Sequence, residues 1–255
     1  MTLLEELRIF VKNILHWVYY FIGFSLFFFI FGLRKIVFSG KNYFLPIPSE
    51  NSFSVQVFKI VQRYFMPSGV QIIATNPMSG FVAQLEVSLI MAFLITSPIF
   101  LYSMIRYISP ALLEHEKKAI WKSVAVSTVL FGLGCLFAYY YMIPLTFKFM
   151  YPFTTALGVT PFFSLDAFMS WVISIILVTG LVFLLPIFML ILSFLKIISP
   201  EIWKKKWRHA FIFLLIFCAI ITPDQTGITM ILLFIPLMVL YAFGAFLAAR
   251  YKRDE

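Results

Sequence analysis

Two carboxylate groupings set the chemistry open to this chain. Glu114 and Glu116 stand in the run Glu114-His115-Glu116-Lys117-Lys118, and Glu6 stands in the amphipathic start Leu3-Leu4-Glu5-Glu6-Leu7-Arg8. Carboxylates on an otherwise basic face are natural receptors for guanidinium groups, which pair with them through two parallel hydrogen bonds. On the residues alone a plainer reading stays open, in which Glu114 and Glu116 balance Lys117 and Lys118 on a solvated helix. Enzyme signatures are missing from the sequence: it holds no His-Glu-x-x-His, no Gly-x-Ser-x-Gly and no Walker-type phosphate loop. No catalytic residue, cofactor or metal is therefore expected, and the chain is not read as an enzyme. His16, His115 and His209 are far apart in sequence, and Cys135 and Cys218 sit in apolar runs without metal-ligand spacing, as small packing residues do.

The elements that must hold these carboxylates are written in the composition. Of 255 residues, 62% are apolar, 19% aromatic and 12% charged, against the 45–50% apolar and about 25% charged of soluble domains. A soluble fold of this length cannot bury so much apolar surface, and a disordered chain would be poor in aromatics. The expected solvent is a lipid bilayer. The net charge of +9 is then read as the cation bias of cytoplasmic loops, not as a nucleic-acid surface.

Uncharged stretches predict six membrane-crossing helices, at about 15–33, 83–105, 120–147, 167–195, 207–223 and 228–249, preceded by an interfacial amphipathic helix over 1–13, all in one polytopic domain spanning 1–255. The apolar stretch 210–249 is too long for one crossing, and the turn signal Thr222-Pro223-Asp224-Gln225-Thr226-Gly227 splits it into a tight hairpin. The apolar part of its first arm reaches only about 21 Å, short of a bilayer core of about 30 Å. With the N-terminus inside, most of the 20 Lys and Arg fall on inside segments, leaving Arg34, Lys35, Lys41, Lys59, Arg63 and Lys148 outside. Both termini are thus expected in the cytoplasm, and no cleavable signal peptide is evident. The outer segment 34–86 is long; 53–65 within it suits a short interfacial helix or a strand. Two inner loops read alike, Ile108-Ser109-Pro110 and Ile198-Ser199-Pro200, each with Ser as N-cap and Pro opening a helix. Pro98, Pro144, Pro186 and Pro236 are placed to kink four crossings.

Several runs carry a family resemblance. They are Ser97-Pro98-Ile99-Phe100-Leu101-Tyr102, then Tyr107-Ile108-Ser109-Pro110-Ala111-Leu112 and Glu114-His115-Glu116-Lys117-Lys118. Further along come Gly134-Cys135-Leu136-Phe137-Ala138-Tyr139, Pro144-Leu145-Thr146-Phe147-Lys148-Phe149, Ser164-Leu165-Asp166-Ala167-Phe168, and Thr222-Pro223-Asp224 with Thr229-Met230. In order along nearly the whole chain, they resemble the TatC family, the core subunit of the twin-arginine protein translocase. The resemblance implies an all-α integral membrane protein of six helices in a concave, glove-like scaffold with a short hairpin between the last two. It implies a multi-pass protein of the cytoplasmic (inner) membrane that binds twin-arginine signal peptides of folded proteins. It also implies assembly with small single-span TatA/TatB-type subunits in an oligomeric complex driven by the protonmotive force. The family's signal-binding glutamates fall on Glu6 and Glu116, with Arg8, Tyr107, Pro110 and Leu112 as supporting positions. Thr222, Thr229 and Met230 are expected on the partner-docking side. Pro77, Phe81 and Asp224 match outer-loop positions. Three positions depart from the pattern: Leu3 replaces the family's first His, and Leu184 and Ala242 stand where glutamates are common. The competing reading, a six-helix solute transporter, would call for a polar midplane site, whereas the helix centres here are apolar.

Overall fold

In lipid a backbone has no partner but itself, so apolar runs of this length close into helices. The computed structural model bears this pattern out over the residues it describes, 3–38, 41–66, 71–108, 114–158, 162–195, 197–222 and 227–251. The protein is mostly helical. Four helical stretches are long and apolar enough to cross a membrane: Ser79–Met104, Ser123–Ala156, Leu165–Phe194 and Thr229–Arg250. Two shorter apolar helices, Ile14–Ile30 and Trp207–Ile221, accompany them. The chain divides into two compact units, one of residues 1–100 with 151–174, the other of 101–150 with 175–255.

The first unit opens with α1, Leu3–Ile30, a single helix through both the amphipathic start and the apolar run behind it. At 1.5 Å per residue it is about 42 Å long. Its end leads directly into a hairpin of β1, Phe31–Phe38, and β2, Lys41–Pro48, antiparallel from Phe31 opposite Pro48 to Phe38 opposite Lys41. The segment left open between helix and strand is a helix, α2, Phe53–Phe65, with Val61 and Phe65 buried. Phe27 and Phe28 of α1 both pack on Phe53, at 5.8 Å between ring centroids. Next, β3, Gln71–Ile73, pairs in parallel with β4, Phe162–Ser164.

The helix α3, Ser79–Ile108, supplies its first part to this unit. Trp17 of α1 donates its indole N–H to Thr96 Oγ1 at 3.1 Å and lies 4.9 Å from the Phe100 ring. Pro98 lacks the N–H that would bond the Leu94 carbonyl, and the Ser97 hydroxyl takes its place at 2.8 Å. The same device recurs without proline: the hydroxyls of Ser88, Thr96, Ser127, Thr146, Ser193 and Thr222 each donate to the carbonyl four residues back. Small polar residues thereby enter apolar helices with their donors satisfied.

In the second unit α4, Glu114–Phe137, continues through a π-helical turn, Ala138–Met142, into α5, Ile143–Ala156, whose residues from 151 on belong to the first unit, as do the residues that follow up to 174. Pro144 explains the turn: its ring would strike the carbonyl of Tyr140 in regular α geometry, and the wider π turn makes room. The helix α6, Leu165–Val182, is followed after a turn by α7, Leu185–Phe194, with Pro186 in its first turn, so this proline starts a helix instead of bending one. Three elements complete the unit: α8, Pro200–Lys205; α9, Trp207–Ile221; and α10, Ile228–Tyr251. The last packs against α7, α8 and α9, and its Leu233, Leu237 and Ala248 are fully buried. Gly134 of α4 and Gly180 of α6 let those two helices approach closely, since a Cβ at Gly134 would lie 2.9 Å from the Gly180 Cα.

Candidate functional site

The carboxylates are carried on helix ends. Glu6 and Arg8 lie near the start of α1, in the first unit. Tyr107 is the next-to-last residue of α3 and Glu116 the third of α4, both in the second unit. Glu114 and Glu116 therefore occupy the first turn of a helix, where exposed backbone N–H groups favour negative charge by about 0.3–1 kcal/mol. The side chains of Glu6, Arg8, Tyr107 and Glu116, and the whole of Pro110 and Leu112, lie outside the described residues. Tyr107 and Glu116 thus stand at the end of one helix and the start of the next in chain order.

The expected docking side falls wholly in the second unit. Thr222 caps α9; its backbone N–H and its hydroxyl both donate to the Cys218 carbonyl, each at 2.9 Å. Its donor is thus committed, while its lone pairs remain able to accept. Thr229 is fully buried in the first turn of α10, and Met230 beside it is half-buried. Just before them Gly227 takes φ +72°, a left-handed conformation that a side chain would oppose, and its carbonyl accepts the Ile231 N–H at 3.1 Å. Asp224 lies outside the described residues. Of the outer positions in the first unit, Pro77 is exposed in the turn that leads into α3, and Phe81 is 49% exposed, edge-on to Phe29 at 5.5 Å.

One polar group in α3 goes beyond what the sequence suggested. Gln84 donates to the Phe29 carbonyl at 3.1 Å and to Ser52 Oγ at 3.0 Å, joining α1, α3 and the start of α2. Two residues on, Glu86 Oε1 accepts from Ser170 Oγ of α6 at 2.6 Å, and its Oε2 is buried without a hydrogen bond among the described residues. In the sequence Glu86 stands only as an acid near the start of the crossing expected at 83–105; its partner is 84 residues away, and no local pattern announces it. Among the described residues no group of three or more His, Cys, Asp or Glu is placed to hold a metal ion.

Long apolar helices, with hydroxyls such as those of Ser88, Thr96, Ser127 and Thr146 bonded back to their own helix, define a polytopic α-helical membrane protein. Its family is settled by comparison. The profile described as Sec-independent protein translocase protein (TatC) matches residues 2–236, and the chain belongs to that family, a transport family of membrane-embedded translocase components. It is 34% identical over 208 residues to the Sec-independent protein translocase protein TatC of Aquifex aeolicus, covering 79% of this chain and 86% of that one. It is 30% identical over 218 residues to the TatC protein of Cenarchaeum symbiosum, covering 85% and 82%. A solved crystal structure of the twin-arginine translocase receptor TatC superposes with a TM-score of 0.72 at 30% identity, over 96% of this chain and 98% of that chain. A second, of the same receptor in DDM, gives 0.74.

Proposed function

We propose that this chain is the receptor and scaffold of a twin-arginine translocation system, binding twin-arginine signal peptides of folded proteins at its cytoplasmic face. The observation that carries this reading is the family match, which runs through both the Glu6 and the Glu116 segments. In it, six helices cross the cytoplasmic membrane with both termini inside, the apolar part of α1, Ile14–Ile30, and α9 supplying the two shorter crossings. Glu116 and Glu6 receive the paired guanidinium groups, with Arg8, Tyr107, Pro110 and Leu112 shaping the surface. The α9–α10 end, at Thr222, Thr229 and Met230, takes a small single-span TatA/TatB-type subunit, whose own short helix relieves the mismatch of a crossing only about 22 Å long. Pro77, Phe81 and Asp224 shape the outer surface, and the protonmotive force drives transport through the oligomeric assembly.

The test is affinity for a labelled signal peptide. Glu116→Ala is expected to weaken binding about 10–150-fold, the value of a charge-assisted bond of roughly 1.5–3 kcal/mol, with Glu6→Ala in the same direction and smaller. A peptide with Lys–Lys for Arg–Arg should also lose binding, since an ammonium cannot form the paired bonds of a guanidinium. Unchanged affinity in the Glu6→Ala/Glu116→Ala protein would remove the basis for the assignment.

A further inference from the structure

Four cations stand together at one end of the second unit. Lys204 and Lys205 close α8, Lys206 links it to α9, and Arg208 follows; all four are exposed. Their platform is fixed, because Trp203 donates its indole N–H to Ser193 Oγ at 3.0 Å and Tyr241 donates its hydroxyl to the Trp203 carbonyl at 2.7 Å. Those bonds tie α8 to α7 and α10. Trp207, 50% exposed, has the Arg208 guanidinium 5.8 Å from its ring centroid, a pairing suited to the headgroup layer of a membrane.

Next to this platform an open groove of about 450 Å³ runs between the end of α6, the start of α7 and α9. Leu181, Leu185, Phe188, Phe213, Leu214 and Phe217 line it, and no charged side chain does. Phe213 and Phe217 lie about 9 and 15 Å along α9 from Trp207, and Phe188 and Leu185 lie about 9 and 14 Å along α7 from Phe194. One leaflet contributes about 15 Å of hydrocarbon. The groove therefore sits at acyl-chain depth in the leaflet whose headgroups meet Lys204–Arg208. The cations at its headgroup end select the occupant: an anionic lipid places its phosphate among them and one chain along the apolar walls, whereas an apolar partner helix offers them nothing.

We propose that this is a binding site for an anionic phospholipid, with its phosphate held by Lys204, Lys205, Lys206 and Arg208 and one acyl chain in the groove. The charge supplies preference for an anionic headgroup, and the aromatic walls supply a fixed seat that annular lipid lacks. None of its residues is among those read as binding signal peptides.

The experiment is native mass spectrometry of the full chain released from vesicles of equal parts phosphatidylglycerol and phosphatidylcholine. Retained lipid should be enriched in phosphatidylglycerol, each Lys→Gln change should lower that enrichment about fivefold, and K204Q/K205Q/K206Q/R208Q should abolish it without reducing retained phosphatidylcholine. Leu185→Trp, which fills the groove, should lower retention of both lipids. Equal retention by the unmodified protein, or enrichment that survives removal of all four charges, overturns the proposal. A photoreactive phenylalanine analogue at Phe213 should form a phospholipid adduct in native membranes. A protein adduct in its place would give the groove to a partner helix and overturn the lipid assignment.

Discussion

Replacing Gly134 by alanine sets helix propensity against helix packing, and packing should win. A Cβ at Gly134 would lie 2.8 Å from Phe183 Cγ and 2.9 Å from the Gly180 Cα, well inside the roughly 3.5–4.0 Å of an ordinary carbon contact. The Phe183 Cβ is also 2.9 Å away and does not move with its ring, so it and the Gly180 backbone can yield only if α6 and the turn after it move. On the other side of the contact, a Cβ at Gly180 would meet Cys135 Sγ and Phe131 Cε2 at 2.7 Å each. Overpacking of this kind costs about 1–3 kcal/mol, while alanine gains about 0.8–1.0 kcal/mol over glycine in a helix. Gly132, two residues earlier on the same helix, has nothing within 4 Å of its Cβ position, so Gly132→Ala keeps the gain without the clash. The two variants should therefore differ by about 1–3 kcal/mol, or about 5–150-fold in the ratio of folded to unfolded protein. Cys135 and Cys218, both free and buried, provide the readout: their reaction with a maleimide along a denaturant series reports the unfolded fraction. Gly134→Ala/Gly180→Ala should cost less than the sum of the single changes, because both open the same gap. If Gly134→Ala resists denaturant as well as Gly132→Ala, the contact between α4 and α6 is not what holds these helices together.

Two further outcomes follow from single hydrogen bonds. Ser97→Ala leaves the Leu94 carbonyl of an apolar helix unpaired and should cost about 1–3 kcal/mol; Ser97→Ala/Pro98→Ala should recover it, since an alanine in place of the proline restores the backbone N–H, and a double variant no more stable than the single refutes the account. Tyr241→Phe removes the bond to the Trp203 carbonyl, worth about 0.6 and at most about 1.7 kcal/mol. Tryptic cleavage after Lys204–Lys206 should then quicken about three- to twentyfold, and an unchanged rate means α8 is held by other contacts.

What could be read ahead from the sequence was local chemistry. Ser199 and Pro200 announced a helix start, and α8 begins there with Ser199 extended and Pro200 as its first residue. The apolar runs announced long helices because length and hydrophobicity are local too. The β1–β2 hairpin was hidden: Pro46 and Pro48 argue against a strand, and adjacent Arg34 and Lys35 break any alternation of faces. The available signal was Ser39-Gly40, a turn dipeptide with the two-residue spacing of a hairpin. For 53–65 the pattern fitted either period, and burial of Val61 and Phe65, four apart, goes with the helical one. The polar ties of α3 were beyond reach, because Gln84 and Glu86 find partners 32 to 84 residues away. A sequence marks where polar groups are, whereas pairing across that distance depends on which helices become neighbours.

The first compact unit is interrupted in sequence, and that imposes an order on biogenesis. Residues 1–100 are made first, but β4 and the opening of α6 belong to the same unit and follow only at 151–174. At about 5–20 residues per second, the ribosome needs roughly 4–15 s to go from residue 100 to residue 174. Throughout that interval Gln71–Ile73 has no strand beside it and Glu86 has no Ser170 to donate to its carboxylate. The nascent protein must therefore shelter a half-built unit while the whole 101–150 segment is inserted. Burying a carboxylate without its donor is costly, so chains that end before residue 170 should hold their first unit less stably than the full chain does.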